Sequence, residues 1–545
     1  MLDAMGGTWD RTEKLGMSVY SLGNEATPLI NGEVMFASVL EDILKTKGVD
    51  DNSDDYIYYT AWAIQSNMTL DPRGTIAPGV NTTVGNLWTS AIGRGVKCLT
   101  LVWRNLINLE ITTEFHDLMN EAAKKAGADE SMARAIVDGR TKVAGSHHQK
   151  TLVVKREGEA VAYAGGIDLT HDRWDTPTHC CGIPEAERDE ECAETCKVRE
   201  TEPVNFRVGG WQDISVRLRG PAVIDVGANF IARWNDNERP SNIPPFLEPA
   251  VEMKARGVLE SEVAKSGVGT VAVQLLRTYA CSHQPVCQKG CYSDNAPDGD
   301  TTYLTGLVKA IDTASNYIYI EDQYGIYMKD VFDALKAALG RGVEHVVVLI
   351  QIPDPEAAQF GYDSYQADMW NPLKEAYPGK VTVYERNDEV YVHSKIVVVD
   401  DVWVTIGSQN MNYRSLTSDT EISVAMVDEN TVVGPDGFTV GVTPFTFRTS
   451  LWASALGVTP EKMQGLKLSD AVALWQEETL PNKRVRAYNP KERSPFSYIT
   501  QKAVDSDGRC YGWIKEEEEE LKELNEAESL VGGFGGDISE SREKE

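Results

Sequence analysis

Two ten-residue stretches decide the reading: SHHQKTLVVK at 146–155 and YVHSKIVVVD at 391–400. Each places a His and a Lys two residues apart and then runs into an apolar stretch rich in Val, the composition of a strand buried on both faces. In extended backbone, residues i and i+2 share a face. His148 and Lys150 therefore project together, as do His393 and Lys395, while His147 has the opposite parity and points away. A lone His in an apolar strand is more often a packed core residue than a catalyst. A second copy in the same context changes that.

Working outward, the rest of the chain repeats in the same order. A helical pattern, Val34 to Lys45, leads to the strand-like YIYYTAWAI at 56–64, and Tyr303 to Thr313 leads to YIYIEDQYG at 317–325. AIGRGVKCLTLVW (91–103) is answered by ALGRGVEHVVVLI (338–350); in both, a helix stops at Gly-Arg-Gly and passes into a buried strand. AYAGGID (162–168) is answered by VTIGSQN (404–410), and QDISV (212–216) by TEISV (420–424). The offset stays between 242 and 247 residues and then drops to 208, so the first copy carries about 37 extra residues there. These features predict an α/β protein of two homologous lobes. The boundaries are a first lobe at 1–235 with a cysteine-rich insertion at about 176–209, a linker at 236–265, a second lobe at 266–480, and a C-terminal extension with an acidic tail at 481–545.

Composition narrows the chemistry. The 545 residues carry 53 basic and 83 acidic side chains, a formal net charge of −30, and are 42% hydrophobic. That is enough apolar content for large cores, and no apolar run reaches the roughly 18 residues of a membrane span. Such acidity argues against nucleic acid as a partner, because that affinity comes largely from Lys and Arg neutralising phosphates. The start, Met1 to Gly16, has no apolar stretch of the signal-peptide kind. The cysteines Cys180, Cys181, Cys192 and Cys196 form one cluster and Cys281, Cys287 and Cys291 another. Disulfides, a zinc site involving His179, and free thiols are all open readings of them. Cys98, inside VKCLTLVW, reads as a small buried hydrophobe. Disulfides and the sequons at Asn67 and Asn81 lean toward a secretory route, the missing signal peptide away from it; a soluble or peripheral-membrane protein fits both.

Each lobe offers an imidazole and an ammonium, with Ser408 and Asn410 in the second copy answered by Gly166 and Asp168 in the first. Placed face to face, the lobes would surround an anion with two His and two Lys. That set suits a phosphodiester: a nucleophile, a general acid, and cations for the non-bridging oxygens.

At this point the chain resembles the phospholipase D superfamily, whose signature is H-x-K-x-x-x-x-D, usually present twice. His393-Ser-Lys395 with Asp400 is a complete copy; His148-Gln-Lys150 has Lys155 in place of the Asp. GGIDLTHDRWDT (165–176), FIARWN (230–235), IYIEDQY (318–324), NYRSLTSDTEI (412–422) and LWASALG (451–457) resemble the eukaryotic-type enzymes in particular. The resemblance implies a pseudo-dimer of two mixed sheets flanked by helices, with the active site between the lobes. It implies His148 as nucleophile, His393 as general acid and base, and Glu421 and Asp213 as their respective carboxylate partners across the interface. Lys150, Lys395, Asp168, Asn410 and Ser408 would bind the phosphoryl oxygens, with no metal or cofactor. The substrate would be a glycerophospholipid such as phosphatidylcholine at a membrane surface, met by a monomer. Lys155 has odd parity relative to His148, so in a continuing strand it faces away from the site. Asp400-Asp401 reads as a tight turn, and the connection from Lys155 to Glu159 as a longer one able to dispense with the Asp. A phosphatidyltransferase or another phosphodiesterase of the superfamily, and a non-catalytic lipid-binding protein, are the alternatives. Asp175 is placed behind the site. Phe360, Tyr362, Tyr365 and Trp370 read equally as an acyl-chain entrance or as core.

Overall fold

The fold follows from strands whose neighbours in sequence point into opposite cores. In the computed structural model, Leu152 and Val154 pack under the helices of the first lobe, whereas Val153 between them joins a core that also holds Val398, Trp452 and Trp475 of the second. The structure describes residues 20–509 apart from 50–52, 105–108, 130, 142–144, most of 180–208, 237–238, 242–244, 249, 251–253, 265–266, 283–291, 293–294, 355–357, 359 and 491–504.

In the first lobe the order is β1 (Ser21–Ile30), α1 (Gly32–Leu44), β2 (Tyr56–Ala61), α2 (Val84–Gly93), β3 (Lys97–Trp103), α3 (Leu109–Ala126) and β4 (Ala133–Asp138). Then come β5 (Thr151–Arg156), β6 (Glu159–Gly165), the two-residue β7 (Trp211–Gln212), β8 (Ile214–Arg219) and α4 (Ala222–Trp234). The second lobe runs β9 (Val271–Thr278), α5 (Thr302–Thr313), β10 (Tyr317–Asp322), α6 (Lys329–Arg341), β11 (His345–Ile350), α7 (Tyr362–Ala376) and β12 (Val381–Arg386). It continues with the short β13 (Tyr391–Val392), β14 (Lys395–Val399), β15 (Trp403–Gly407), α8 (Tyr413–Thr417) and β16 (Glu421–Asp428). A hairpin, β17 (Thr431–Val433) and β18 (Thr439–Gly441), precedes α9 (Val442–Leu456), α10 (Pro460–Gln464), α11 (Leu468–Gln476) and β19 (Val485–Ala487).

Fifteen strands form one sheet in the order β19-β12-β11-β10-β14-β15-β16-β9-β1-β8-β6-β5-β2-β3-β4. Read from each edge inward after β19, the two halves match strand for strand: β12 with β4, β11 with β3, β10 with β2, β14 with β5, β15 with β6, β16 with β8 and β9 with β1. The duplication is therefore a two-fold arrangement whose seam is the antiparallel β1–β9 pair. In each half the three outer strands are parallel and the inner ones antiparallel, so both lobes are mixed sheets flanked by helices. The Gly-Arg-Gly stops behave as their sequence implies: Gly95 and Gly342 carry positive φ just past α2 and α6.

Several segments differ from their sequence reading. Residues 485–487, expected beyond the second lobe, form its edge strand β19, paired to β12. Residues 505–508 also return to the lobe: Asp505 accepts the Tyr413 and Arg414 N–H at 3.0 and 2.7 Å, capping α8, and the compact unit runs to Gly508. The connection after β5 is not longer than its counterpart. It is a two-residue turn, Glu157-Gly158, and it is the strands that extend further. The acidic tail and Cys180, Cys287, Cys291 and Cys510 lie outside the described residues.

Candidate active site

Each H-x-K segment docks on the other lobe. The N–H groups of His148 and Gln149 donate to Thr420 O at 2.8 and 3.0 Å, and the His393 N–H donates to Gln212 O at 2.8 Å. Each docking point lies one residue before a carboxylate, so the same register that joins the lobes presents Glu421 to His148 and Asp213 to His393. His148 Nδ1 lies 3.0 and 3.1 Å from the two Glu421 oxygens, and His393 Nδ1 lies 2.6 Å from Asp213 Oδ2. Gly166 makes room for the second pair, since a Cβ there would lie 2.1 Å from Asp213 Oδ1.

The rings of His148 and His393 lie next to each other, steeply inclined at 63°, with centroids 6.4 Å apart. Lys150 Nζ donates to His148 O at 2.9 Å and lies 3.4 Å from Asp168 Oδ2. Lys395 Nζ donates to His393 O and to Gln323 Oε1, the latter at 3.0 Å. With Nδ1 of each imidazole committed to a carboxylate, Nε2 is the atom left for a reacting group. Burial, then the Lys150 and Lys395 ammonium groups, hold His148 well below the usual imidazole range; burial, Lys395 and Arg173 do the same to His393. Burial, with Asp419 beside it, raises Glu421 to about 8, and burial raises Asp213 to about 6. Burial also lowers both lysines. Burial and the neighbouring lysines thus both disfavour imidazolium at the two sites.

Two expected phosphate ligands are placed otherwise. The Ser408 hydroxyl accepts the Ile422 N–H at 3.0 Å and donates to Ile422 O at 3.2 Å. The strand ends at Gly407, so the alternation that would aim Ser408 at the site no longer holds; only its carbonyl reaches His148, at 3.0 Å. Asp168 accepts the Trp62 and Ala63 N–H at 3.0 and 3.2 Å and pairs with Lys150. With one oxygen held by two backbone N–H groups and the other beside the Lys150 ammonium, Asp168 orients a lysine instead. Asn410 is buried, and its Oδ1 has no hydrogen-bond partner among the described residues.

Lys155 faces away from the imidazoles and pairs with Asp54 and with Glu262, the latter at 3.0 Å. Asp400 accepts the Ser315, Asn316 and Tyr317 N–H at 2.7–2.9 Å, tethering the start of β10. His147 turns its Nε2 to Asp138 at 3.3 Å, on the other side of its segment. Asp175 accepts the His179 Nδ1–H at 2.8 Å and the Trp211 N–H at 2.6 Å, which puts it behind Trp211. His179 is thus held by a carboxylate rather than a thiolate, and Cys181 and Cys196 form a disulfide, which removes the zinc reading. Cys98 is free and buried. Tyr365 and Trp370 are core residues, whereas Phe360 is exposed.

The site also contains residues that no motif singled out. Trp62 lies edge-on to His148 at 6.5 Å, with the Lys150 ammonium 5.9 Å above its ring. Trp211 packs on His393 at 4.9 Å, and Arg173 lies 4.0 Å over Trp211. Trp62 follows a strand and Trp211 precedes Asp213, so their positions beside motif residues were the available signal.

With this geometry in hand, the comparisons fall into place. A family model described as Phospholipase D matches residues 51–337, just over half of the chain, and one described as Cardiolipin synthase, PLD-like domain, matches 307–433. The chain belongs to the phospholipase D superfamily. It is 24% identical over 530 residues to phospholipase D gamma 3 of Arabidopsis thaliana, covering 75% of this chain and 60% of that one. It is 26% identical over 519 residues to phospholipase D beta 1 of the same plant, covering 73% and 46%. Phospholipase D alpha 2 of Oryza sativa subsp. japonica is 25% identical over 523 residues, covering 75% and 62%. The chain therefore spans roughly half to three-fifths of the length of these relatives. Among solved structures it is similar to phosphatidylserine synthase of Haemophilus influenzae Rd KW20, at 12% identity and a TM-score of 0.49, over 94% of this chain and 96% of that one. Among the described residues, no helix is long and apolar enough to cross a membrane.

Proposed function

We propose that the chain is a phosphodiesterase of the phospholipase D type, cleaving a glycerophospholipid to phosphatidic acid and the free head-group alcohol. The observation that carries this reading is the reciprocal pairing of two adjacent imidazoles with carboxylates from the opposite lobes, flanked by Lys150 and Lys395. His148 Nε2 attacks phosphorus, forming a P–N bond as the P–O bond to the head group breaks. His393 delivers a proton to that departing oxygen, then takes one from water, whose attack on phosphorus releases His148. Lys150, Lys395 and the Asn410 amide hold the non-bridging oxygens, where a fixed positive field is worth most. Glu421 and Asp213 fix the tautomers and balance the imidazolium charge. If an alcohol replaces water in the second step, the same intermediate yields transfer, the route of a phosphatidyltransferase.

The departure from the motif at Lys155 does not favour a binding-only role, because its ion pairs lie away from the imidazoles. The test is choline release from phosphatidylcholine vesicles with primary-alcohol transfer assayed alongside, and mass analysis of acid-sensitive phosphoryl label on the His148 peptide. Turnover that disappears in His393→Ala, with label lost in His148→Ala, is expected. Labelling that persists in His148→Ala overturns the assignment. Failure to turn over any phosphodiester leaves the non-catalytic reading in its place.

A further inference from the structure

The surroundings of the two imidazoles differ, and the difference falls on the side where the head group leaves. In an in-line displacement the nucleophile and the leaving oxygen lie on opposite sides of phosphorus. If His148 attacks, as proposed above, the head-group alcohol departs beside His393. Against His393 packs Trp211, and over Trp211 lies the Arg173 guanidinium. The Arg173 side chain is only 8% exposed. It pairs through Nη1 with Asp172, but its Nε is buried with no hydrogen-bond partner among the described residues. A buried guanidinium N–H without an acceptor is costly in a folded chain, and such a donor fits a carboxylate or phosphate oxygen.

In the corresponding segment of the second lobe the arginine is held through its Nε. There Arg414 Nε donates to Asp419 at 3.0 Å, and Asp419 in turn accepts the Ser146 N–H at 2.9 Å. Asp419 stands two residues before Glu421, as Trp211 stands two residues before Asp213. Both arginines meet a carboxylate, but the second lobe's does so through Nε, whereas the first lobe's uses Nη1, is covered by an indole, and has an Nε with no acceptor among the described residues.

We infer that Arg173 is a head-group residue: its guanidinium takes an anionic group on the departing alcohol, so the preferred substrate carries a carboxylate on its head group rather than a cation alone. The indole between Arg173 and His393 fixes the planar guanidinium by stacking and sets its distance from the scissile bond. A trimethylammonium group at the same place meets a buried positive charge, which disfavours it. This rests on the proposed reaction for the direction of departure, and the experiment separates the two.

The test compares phosphatidylserine with phosphatidylcholine, presented in the same mixed vesicles, using the full chain and its Arg173→Gln and Arg173→Lys variants. The wild type is expected to prefer phosphatidylserine in kcat/KM. Arg173→Gln is expected to lower the serine-to-choline ratio by about 10- to 100-fold, the range of one charge-assisted hydrogen bond. Arg173→Lys is expected to recover part of the ratio. Phosphatidylglycerol phosphate, assayed beside them, tells a carboxylate from a phosphate as the anion. Equal losses on all head groups, or a wild-type preference for choline, overturn the inference. Calorimetric binding of glycerophosphoserine and glycerophosphocholine to the same proteins gives a readout that needs no turnover. A ratio of dissociation constants that Arg173→Gln leaves unchanged overturns it there, even if no lipid is cleaved.

Discussion

The hairpins that follow the two H-x-K segments reach the same end with opposite charges. In the second lobe Asp400, with Asp401 at positive φ beside it, collects three backbone N–H groups ahead of β10. In the first, Lys155 reaches the segment ahead of β2 through the side chain of Asp54 and adds Glu262 from the connection between the lobes. Both tie a motif strand to the start of its neighbour, and both do it on the side away from the imidazoles. The lesson is that the last position of the motif anchors a strand and can change sign, provided the partner changes too. In the proposed reaction His and Lys touch the reacting atoms and have no such freedom.

The sharpest way to break this comparison is at the imidazoles. His148→Ala is expected to reduce lipid turnover by about 10⁴-fold or more. His393→Ala should cost about 10²–10⁴-fold with an alkyl leaving group and far less with p-nitrophenolate, which departs without a proton. Equal losses on both substrates would erase the assigned asymmetry. Next, Glu421→Gln and Asp213→Asn keep the shape but not the charge, and turnover should fall about 10²-fold or more in each.

A third measurement is the titration of the histidine Cε1–H signals. An ammonium neighbour disfavours imidazolium, so Lys395→Met should raise both imidazole pKa values toward the usual range. His393 should move more, because Lys395 is the foremost charge acting on it, whereas Lys150 precedes Lys395 for His148. The acid limb of the activity profile, which requires unprotonated Nε2 on His148, should then move to higher pH. A downward shift would contradict the assigned field.

The smallest effect is expected where the comparison began. Lys155→Met should leave kcat/KM within about threefold while lowering stability by roughly 1–3 kcal/mol in denaturant melts. Against the upward push of burial, the Arg256 guanidinium, the Leu259 N–H and Lys155 hold Glu262 down to about 2. A carboxyl depressed on folding adds stability that is fully present above its unfolded pKa and is lost as pH falls toward its folded one. Lys155→Met should therefore flatten the acid-side loss between about pH 4.5 and pH 2. A large loss of activity in the folded variant would return Lys155 to the chemistry.

The repeated order of elements along the chain, the two lobes and the imidazole–ammonium pairs were legible because a period of two and a repeat are local properties of a sequence. Ser408 was misread for a physical reason: parity holds only while the strand lasts, and Gly407 ends it. Asp168 was assigned by position, whereas its neighbours Trp62 and Lys150 decide what it does. The edge strand at 485–487 and the cap from Asp505 take their form from surfaces made elsewhere, and a short segment carries no pattern of its own. Trp211 and Arg173 are also invisible to periodicity, since they meet His393 only after the lobes join.

The cross-lobe pairing has a consequence in time. His148 and Glu421 are 273 residues apart in the chain, and at 5–20 residues per second the ribosome needs roughly 15–55 s to pass from one to the other. Throughout that interval the first imidazole exists without its carboxylate, and His393 is made only near its end, shortly before Glu421. A nascent first lobe therefore lacks half of the arrangement on which the proposed cleavage depends, and the two His–carboxylate pairs can be complete only once Glu421 has been made.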